Sequence, residues 1–150
     1  MTTIAFDGKS IAADCQSTYG SFPVKAHKLN HLTYKGHPAV AGCDGTIQEF
    51  DPIIEWVKGG CKKKQRPDVE EEKPDFSIMV VTDEGKVFYA SNSLFFHDMG
   101  KTKWAIGSGA DYALGAMEAG KTAKESIEIA MRLDVNTGLG IDVIDVVKGE

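Results

Sequence analysis

Residues 2–14 read TTIAFDGKSIAAD. The runs at 3–6 and 10–13 are rich in β-branched and other apolar residues, and an Asp-Gly pair at 7–8 separates them. An Asp-Gly pair between two such runs is typical of a β-hairpin turn. The sequence therefore predicts that the chain opens with two antiparallel strands.

The length of the hairpin loop decides which side chains face each other. With a three-residue loop at 7–9, paired residue numbers sum to sixteen, so Thr2 lies directly opposite Asp14 on the same face of the hairpin. A two-residue loop shifts the register by one and turns Asp14 to the other face. Direct contact between the Thr2 and Asp14 side chains therefore requires the three-residue loop.

The rest of the chain alternates strands and helices without the regular strand–helix–strand repeat of a parallel sheet. Thr-x-x-Glu capping boxes open two of the helices, and Pro52 in the first of them favours a kink or a restart at residue 51. The order predicts an α+β fold with antiparallel hairpins. The predicted strands are 25–34, 39–42, 76–82, 86–91, 104–106 and 141–147, and the predicted helices are 46–58, 110–119 and 122–133.

Composition narrows the class of protein. The 150 residues, 42% of them hydrophobic, suit one globular domain over 1–150 with a real core. No apolar run is long enough to span a bilayer, the start of the chain lacks signal-peptide features, and the net charge of −5 argues against a nucleic-acid partner. Cys15, Cys43 and Cys61 form neither a zinc pattern nor a disulfide framework, which favours a reducing cytoplasm. The four histidines also lack a metal-ligand spacing, so neither a metal nor a cofactor is predicted.

The segment 61–75 (CKKKQRPDVEEEKPD) is nearly all polar, with a basic block before an acidic one. Such a segment is typical of a solvated loop, and a docking segment for a partner is the alternative.

Thr2 is the candidate nucleophile. Methionine before a small residue is a good substrate for aminopeptidase removal, and loss of Met1 would give Thr2 a free α-amine. A hydroxyl needs a base beside it, and an α-amine with a pKa of about 7.7–8.0 suits that task near neutral pH. If Met1 stays, the Thr2 nitrogen is an amide and cannot act as a base.

Asp14 and Lys25 are the candidate charged pair. Asp14 ends an apolar strand and needs a partner if it is buried. Lys25 begins the predicted third strand, and a cation there would lower the pKa of a nearby α-amine. The alternatives are a turn aspartate that ends the strand and an exposed strand lysine.

Short segments along most of the chain follow the pattern of one enzyme family. They are TTI at 2–4, IAADCQST at 11–18, KAHKL at 25–29, AGCDG at 41–45, WAIGSGADYA at 104–113 and LDVNTG at 133–138. In this order they resemble HslV and the proteasome β-subunits, which are N-terminal nucleophile (Ntn) hydrolases. The last segment is similar to their Asp-x-x-Ser/Thr-Gly motif.

The resemblance implies a four-layer αββα sandwich of two antiparallel sheets and a threonine-dependent peptidase. It casts Thr2 as the nucleophile with its own amine as the base, and a backbone N–H as the oxyanion donor. The other implied site residues are Asp14 and Lys25 for the electrostatics, Gly45 (or Gly42) for the oxyanion, and Ser108, Asp134 and Thr137 for the polar network around the amine. Candidate residues of the specificity pocket are Ser17, His27 and Cys43.

One departure from the family concerns an outer layer of the sandwich. The family's long second helix is missing and the polar segment 61–75 stands in its place, so that layer holds a single helix, 46–58. We expect a neighbouring subunit or the loop itself to cover the apolar sheet surface left open. The resemblance implies a homo-oligomer, as a ring or a dimer, with an ATPase unfoldase as an optional partner.

Three functions stay open at this point. The first is a threonine peptidase acting on peptides or unfolded proteins, and the second is an Ntn amidase acting on a small amide. The third is a catalytically silent structural or assembly component. Retention of Met1 and the shortened fold favour the third, whereas Thr2, Asp14, Lys25 and Ser108 together disfavour it.

Overall fold

The computed structural model describes residues 2–19, 21–45, 50–68 and 76–147. The predicted start of the first helix with its capping box, at 46–49, and the acidic part of the polar segment, at 69–75, lie outside these ranges. The strands are β1 (Thr3–Phe6), β2 (Ser10–Asp14), β3 (Gln16–Tyr19), β4 (Phe22–Lys25), β5 (Leu29–Tyr34), β6 (His37–Asp44), β7 (Ser77–Thr82), β8 (Lys86–Ser91), β9 (His97–Lys101), β10 (Trp104–Gly107) and β11 (Ile141–Asp145). The helices are α1 (Phe50–Lys58), α2 (Ala110–Glu118), α3 (Ala123–Leu133) and a short 3₁₀ helix at Lys63–Gln65.

The strands form two main sheets and one separate hairpin. The first sheet has the order β10-β1-β2-β11, the second has the order β5-β6-β7-β8-β9, and β3 pairs only with β4. All of these pairings are antiparallel. The predicted α+β fold built from antiparallel hairpins is therefore confirmed.

Three apolar clusters hold four layers together. Ile4, Phe6 and Ile11 of the first sheet pack with Val40 and Met79 of the second, so the two sheets face each other. On the outer side of the first sheet, small alanines of β1 and β2 pack against α2 and α3, and α1 packs on the outer side of the second sheet. These layers confirm the αββα sandwich, in which α1 is the only α-helix over the second sheet among the described residues.

The helices follow their sequence signals. Pro52 lies in the first turn of α1, where its missing N–H costs no helical hydrogen bond, and Ile53 and Val57 face the sheet. The predicted second capping box is present, because Thr122 Oγ1 accepts the Glu125 N–H at 3.2 Å and the Glu125 carboxylate accepts the Thr122 N–H at 3.0 Å. None of the described helices is long and apolar enough to cross a membrane.

Part of the cover over the second sheet comes from the chain itself. Cys61 and Phe96 pack against the cluster under α1, and the Trp56 indole donates a hydrogen bond to the Lys62 carbonyl at 2.9 Å. The Arg66 guanidinium lies 4.5 Å from the centre of the Phe95 ring. These contacts support the idea that the loop folds over the sheet, and cover by a neighbouring subunit remains a prediction.

The predicted loop of the first hairpin is wrong. Phe6 pairs with Ile11, and the Asp7 N–H donates to the Ser10 carbonyl at 3.1 Å, so the loop has two residues, with Gly8 at a φ of +102°. The Asp7 carboxylate accepts the N–H groups of Lys9 and Ser10 and so holds this tighter turn. Paired residue numbers sum to seventeen, and Thr3, not Thr2, lies opposite Asp14.

Two strand predictions also need correction. The predicted strand at 25–34 is broken, because β4 ends at Lys25, residues 26–28 have no strand structure, and β5 begins at Leu29. The β3–β4 hairpin is missing from the prediction because β4 is exposed throughout and shows no alternation. Strand β9 was also missed, since its pairing with β8 is irregular and it contains Gly100 with a positive φ.

Candidate active site

Thr2 lies at the entrance to β1 and is buried, with 3% of its surface exposed. A glycine at 107 is needed to admit it, because a Cβ atom there would lie 1.7 Å from the Thr2 carbonyl oxygen. Gly107 also has a φ of +102°, which disfavours any other residue. Thr2 directly precedes β1, in which Ile4 faces the second sheet.

Asp14 is completely buried and accepts hydrogen bonds from four donors. The backbone N–H groups of Thr3, Gln16 and Gly138 lie 2.9, 3.2 and 3.1 Å from its carboxylate oxygens. The fourth donor is the Lys28 ammonium, at 2.8 Å. A buried carboxylate requires such compensation, and here it fastens the residue after Thr2 to the end of β2.

Lys28 is the charge partner of Asp14. Its side chain is 2% exposed, and its Nζ also donates to the Gln16 carbonyl at 2.5 Å. Burial lowers the pKa of the Lys28 ammonium, while the Asp14 carboxylate opposes that shift. The result is a buried cation held at the carboxylate behind the first strand.

The prediction that Lys25 pairs with Asp14 is therefore wrong. Lys25 is exposed at the end of β4, opposite Gln16 on the small hairpin. The prediction assumed one continuous strand from residue 25, whereas the chain leaves the hairpin at 26–28 and Lys28, the second lysine of KAHK, turns inward. One sequence feature could have identified Lys28 as the inward lysine. It directly precedes β5, which enters the second sheet.

Three other predicted residues do meet. Ser108 and Thr137 donate hydrogen bonds to Asp134 Oδ2 at 2.5 and 2.7 Å, and the Asn136 N–H donates to its other oxygen at 3.1 Å. Asp134 directly follows α3. Partial burial opposes its ionisation, but these hydrogen bonds together hold the pKa of the carboxyl below its ordinary value.

Thr3 joins the two polar groups, one around Asp14 and the other around Asp134, and it was not among the predicted site residues. Its N–H donates to Asp14, its Oγ1 lies 2.7 Å from Thr137 Oγ1, and it accepts the Gly109 N–H at 3.1 Å. Because the Thr137 hydroxyl proton goes to Asp134, the Thr3 hydroxyl must donate to Thr137. The signal that would have found Thr3 is the hairpin register, which decides which threonine faces Asp14.

Gly45 follows the end of β6 and has a φ of +134°. Gly42 lies inside that strand, where Leu29 and Met79 flank it on the two neighbouring strands. Because the amides of a central strand are used in the sheet, Gly45 is the better placed of the two to donate to a ligand. Its role as an oxyanion donor remains a prediction.

The three predicted pocket residues lie in different places. Cys43 packs in the apolar cluster under α1, so the pocket prediction is wrong for it. Ser17 is buried on β3. His27 has a 70% exposed side chain whose Nδ1 lies 2.6 Å from Asp142 Oδ2.

The Cys15 thiol is a poor candidate for a second nucleophile. It is buried, and burial together with the Asp142 carboxylate raises its pKa. A raised pKa lowers the thiolate fraction on which reactivity depends, so this thiol is not a reactive group.

Among the comparisons with known proteins, only the one with solved structures gives matches. No family model and no curated protein matches the sequence. Among solved structures, BPH from Thiobacillus denitrificans, in complex with epoxomicin, matches at 17% identity over 99% of this chain and 100% of that one, with a TM-score of 0.66. Eukaryotic HslV from Trypanosoma brucei matches at 18% identity over 95% and 98%, with a TM-score of 0.67. Anbu (ancestral beta-subunit) from Yersinia bercovieri matches at 12% identity over 96% and 80%, with a TM-score of 0.68.

These likenesses cover 99%, 95% and 96% of this chain. They confirm the resemblance to HslV and its relatives at the level of architecture. The chain has the proteasome-like Ntn-hydrolase fold.

Proposed function

We propose that this chain is a threonine peptidase that becomes active when Thr2 is its first residue. The observation that carries the proposal is the Asp14–Lys28 pair, 2.8 Å apart with 0% and 2% of the side chains exposed. A buried ion pair is weak evidence for stability, because desolvation of the two charges offsets their attraction. A pair fastened to the N–H of the residue after Thr2 is better explained by catalysis.

The proposed reaction uses Thr2 as both nucleophile and base. Its Oγ1 attacks the peptide carbonyl while its free α-amine takes the hydroxyl proton, and the same amine then returns a proton to the leaving amine. Water hydrolyses the resulting ester in the second half of the reaction. The Lys28 charge lowers the pKa of the α-amine and favours the developing negative charge, which is the role predicted for Lys25.

The proposed role of the second polar group, around Asp134, is to hold the reacting groups in place. Ser108, Asp134 and Thr137 are held by hydrogen bonds of 2.5 and 2.7 Å, and Thr3 links them to the first strand. We infer that this group orients the Thr2 amine. Gly45 is the proposed backbone donor to the oxyanion, a role for which fixed N–H groups are effective.

The wider setting of the enzyme is also a proposal. The fold supports peptides or unfolded proteins as substrates and a homo-oligomer as the active form, with an ATPase unfoldase as an optional partner. Cys15, Cys43 and Cys61 are all unpaired, which supports a reducing compartment such as the cytoplasm.

The test uses a chain shown by intact mass to begin at Thr2. Epoxomicin, the compound in the Thiobacillus denitrificans BPH complex, serves as the probe, and peptide cleavage is measured in parallel. We expect a covalent adduct on Thr2, cleavage of a fluorogenic peptide, and loss of both in Thr2→Ala. Lys28→Met should lower kcat/KM by about 100-fold or more, the scale of a lost catalytic electrostatic contact.

Lys25→Met is the matched control, because it removes an exposed lysine three positions away and should leave cleavage unchanged. Equal loss in both lysine variants would contradict the proposed role of Lys28. A correctly trimmed chain with neither adduct nor cleavage would favour the silent structural component. An adduct with cleavage of small amides only would favour the amidase.

A further inference from the structure

A cluster of side chains that could bind a metal ion consists of residues that the proposed mechanism does not use. Cys15 follows β2, His27 lies in the connection between β4 and β5, and Asp142 lies on β11. One donor atom from each side chain lies within 4.8 Å of the other two, and His27 Nδ1 is 2.6 Å from Asp142 Oδ2. Three distant segments of the chain therefore bring a sulfur, a nitrogen and an oxygen donor together.

The chemistry of these donors indicates which ligand they suit. Thiolate and imidazole are the preferred ligands of zinc, with a carboxylate as a common third, whereas calcium and magnesium prefer sets made only of oxygen. We propose that Cys15, His27 and Asp142 bind a zinc ion. Sequence spacing gave no sign of this site, because its ligands come from positions far apart in the chain.

The surroundings of the cluster suit three protein ligands with one open position. Cys15 is 1% exposed and closes the inner side, while the side chains of Asp142 and His27 are 32% and 70% exposed and leave the outer side accessible. Zinc bonds of about 2.0–2.2 Å to nitrogen and oxygen place those two donors roughly 3.3–3.6 Å apart in a tetrahedral site. His27 must therefore move about 1 Å from Asp142 when the ion enters.

The backbone shows which ligands are fixed and which one adjusts. The Cys15 N–H donates to the carbonyls of Gly138 and Gly140 at 3.1 and 3.0 Å, and Asp142 pairs with Ala13 inside the first sheet. His27 lies in a segment without strand pairing. Two ligands are thus preorganised, and the exposed third can complete the site.

Zinc bound at this position would affect the Asp14–Lys28 pair through the backbone. Cys15 is the neighbour of Asp14, and His27 is the neighbour of Lys28, so the ion would fasten residues 26–28 to β2 and β11. If the proposed function holds, zinc should change the cleavage rate of the wild-type protein and leave that of His27→Ala unaltered. Zinc binding itself does not depend on the proposed function.

The binding test uses metal-free protein titrated with Co²⁺, followed by displacement with Zn²⁺. A cobalt–thiolate bond gives a charge-transfer absorption, and tetrahedral Co²⁺ gives intense visible bands, so the spectrum reports the sulfur ligand directly. We expect both features in the wild-type protein, their loss on adding Zn²⁺, and at least a tenfold weaker affinity for Co²⁺ in Cys15→Ser and His27→Ala. Zinc should also raise the Tm of the wild-type protein.

The chain offers matched controls for both ligand variants. Cys61→Ser removes another unpaired thiol, and His37→Ala disrupts the second candidate group, His37, Asp83 and Glu84, which has no sulfur donor. Both controls should keep the wild-type spectrum and affinity. Should Cys15→Ser fail to fold, His27→Ala still decides the question, because that side chain is mostly exposed.

Three results would overturn the proposal. One is a wild-type protein that shows no charge-transfer band in the Co²⁺ titration. Another is a band that persists at full strength in His27→Ala, and the last is binding lost in His37→Ala instead. In each case the His27–Asp142 contact would be a surface hydrogen bond only.

Discussion

Two polar groups flank the first strand, one around Asp14 and the other around Asp134. They compensate the burial of a carboxylate in different ways. Asp14 is fully buried and is compensated by a buried ammonium and three backbone N–H groups from separate segments. Asp134 is half-buried, and two hydroxyls and one nearby N–H compensate it. The first group therefore concentrates charge behind Thr2, whereas the second fixes positions with neutral donors, and Thr3 connects them.

Removal of the Asp14 carboxylate should have the largest effect on stability. Asp14→Ala leaves Lys28 as a buried charge without its carboxylate and removes the acceptor of three N–H groups. Loss of one partner of a buried pair costs about 3–5 kcal/mol. Urea unfolding followed by circular dichroism measures this loss, and a double variant with Lys28→Met should recover part of it.

The control for this prediction is Asp68→Ala, which removes an exposed aspartate. Its free energy of unfolding should stay within about 0.5 kcal/mol of the wild type, as is usual for surface positions. If Asp14→Ala were equally mild, the buried pair would not be the stronger of the two groups.

A steric change tests the link between the groups. A Cβ at Gly109 would lie 2.3 Å from Thr3 Oγ1 and 3.1 Å from the Ala130 Cβ. The backbone of Gly109, at φ −95°, suits alanine, so the clash alone determines the outcome. We expect Gly109→Ala to lower the free energy of unfolding by about 1–3 kcal/mol, the usual cost of overpacking.

The matched control is Gly115→Ala in the middle of the same helix, where a Cβ meets no atom within 4 Å. Alanine is favoured over glycine in a helix by about 0.8–1 kcal/mol, so this variant should be more stable than the wild type. Thermal melts of the two variants should therefore shift in opposite directions. A Gly109→Ala variant that is as stable as the wild type would show that the contact with Thr3 is unimportant.

The sequence was informative about the second group and misleading about the first. Ser108, Asp134 and Thr137 were predicted together from the resemblance to HslV and the proteasome β-subunits, and they meet in space. Most strands were predicted because the apolar pattern reports burial directly, whereas the order of the four layers was implied by the resemblance.

The first group depends on features that local patterns do not report. A one-residue difference in the first loop decides whether Thr2 or Thr3 faces Asp14, and both loops suit an Asp-Gly sequence. Which lysine turns inward depends on where β4 ends, and this strand is exposed throughout and shows no alternation of buried and exposed residues. The cluster of Cys15, His27 and Asp142 depends on tertiary contacts alone.

Thr137→Val measures the worth of one hydroxyl in the second group. The change keeps the shape of a side chain that is 4% exposed, removes one donor to Asp134, and leaves the Thr3 hydroxyl without its acceptor. We expect a loss of about 1–2 kcal/mol, the cost of leaving buried polar atoms unpaired. Thr33→Val on the exposed side of β5 is the control and should be close to neutral. A neutral Thr137→Val would mean that the network has no stabilising role.

The pH dependence of stability gives the smallest expected effect, because neutral donors hold Asp134 and solvent reaches it. Its folded-state pKa is below the ordinary value of 3.8, so its contribution is complete above that value and is lost as the pH falls through the folded-state pKa. The difference in unfolding free energy between the wild type and Asp134→Asn should therefore be constant from about pH 7 to about pH 5 and shrink toward about pH 3. Urea titrations of the two proteins at matched pH measure that difference. If the difference in unfolding free energy were independent of pH, the hydroxyls would position Asp134 without favouring its charged form. Only the Asp14 group would then stabilise a charge, and the Asp134 group would act by positioning alone.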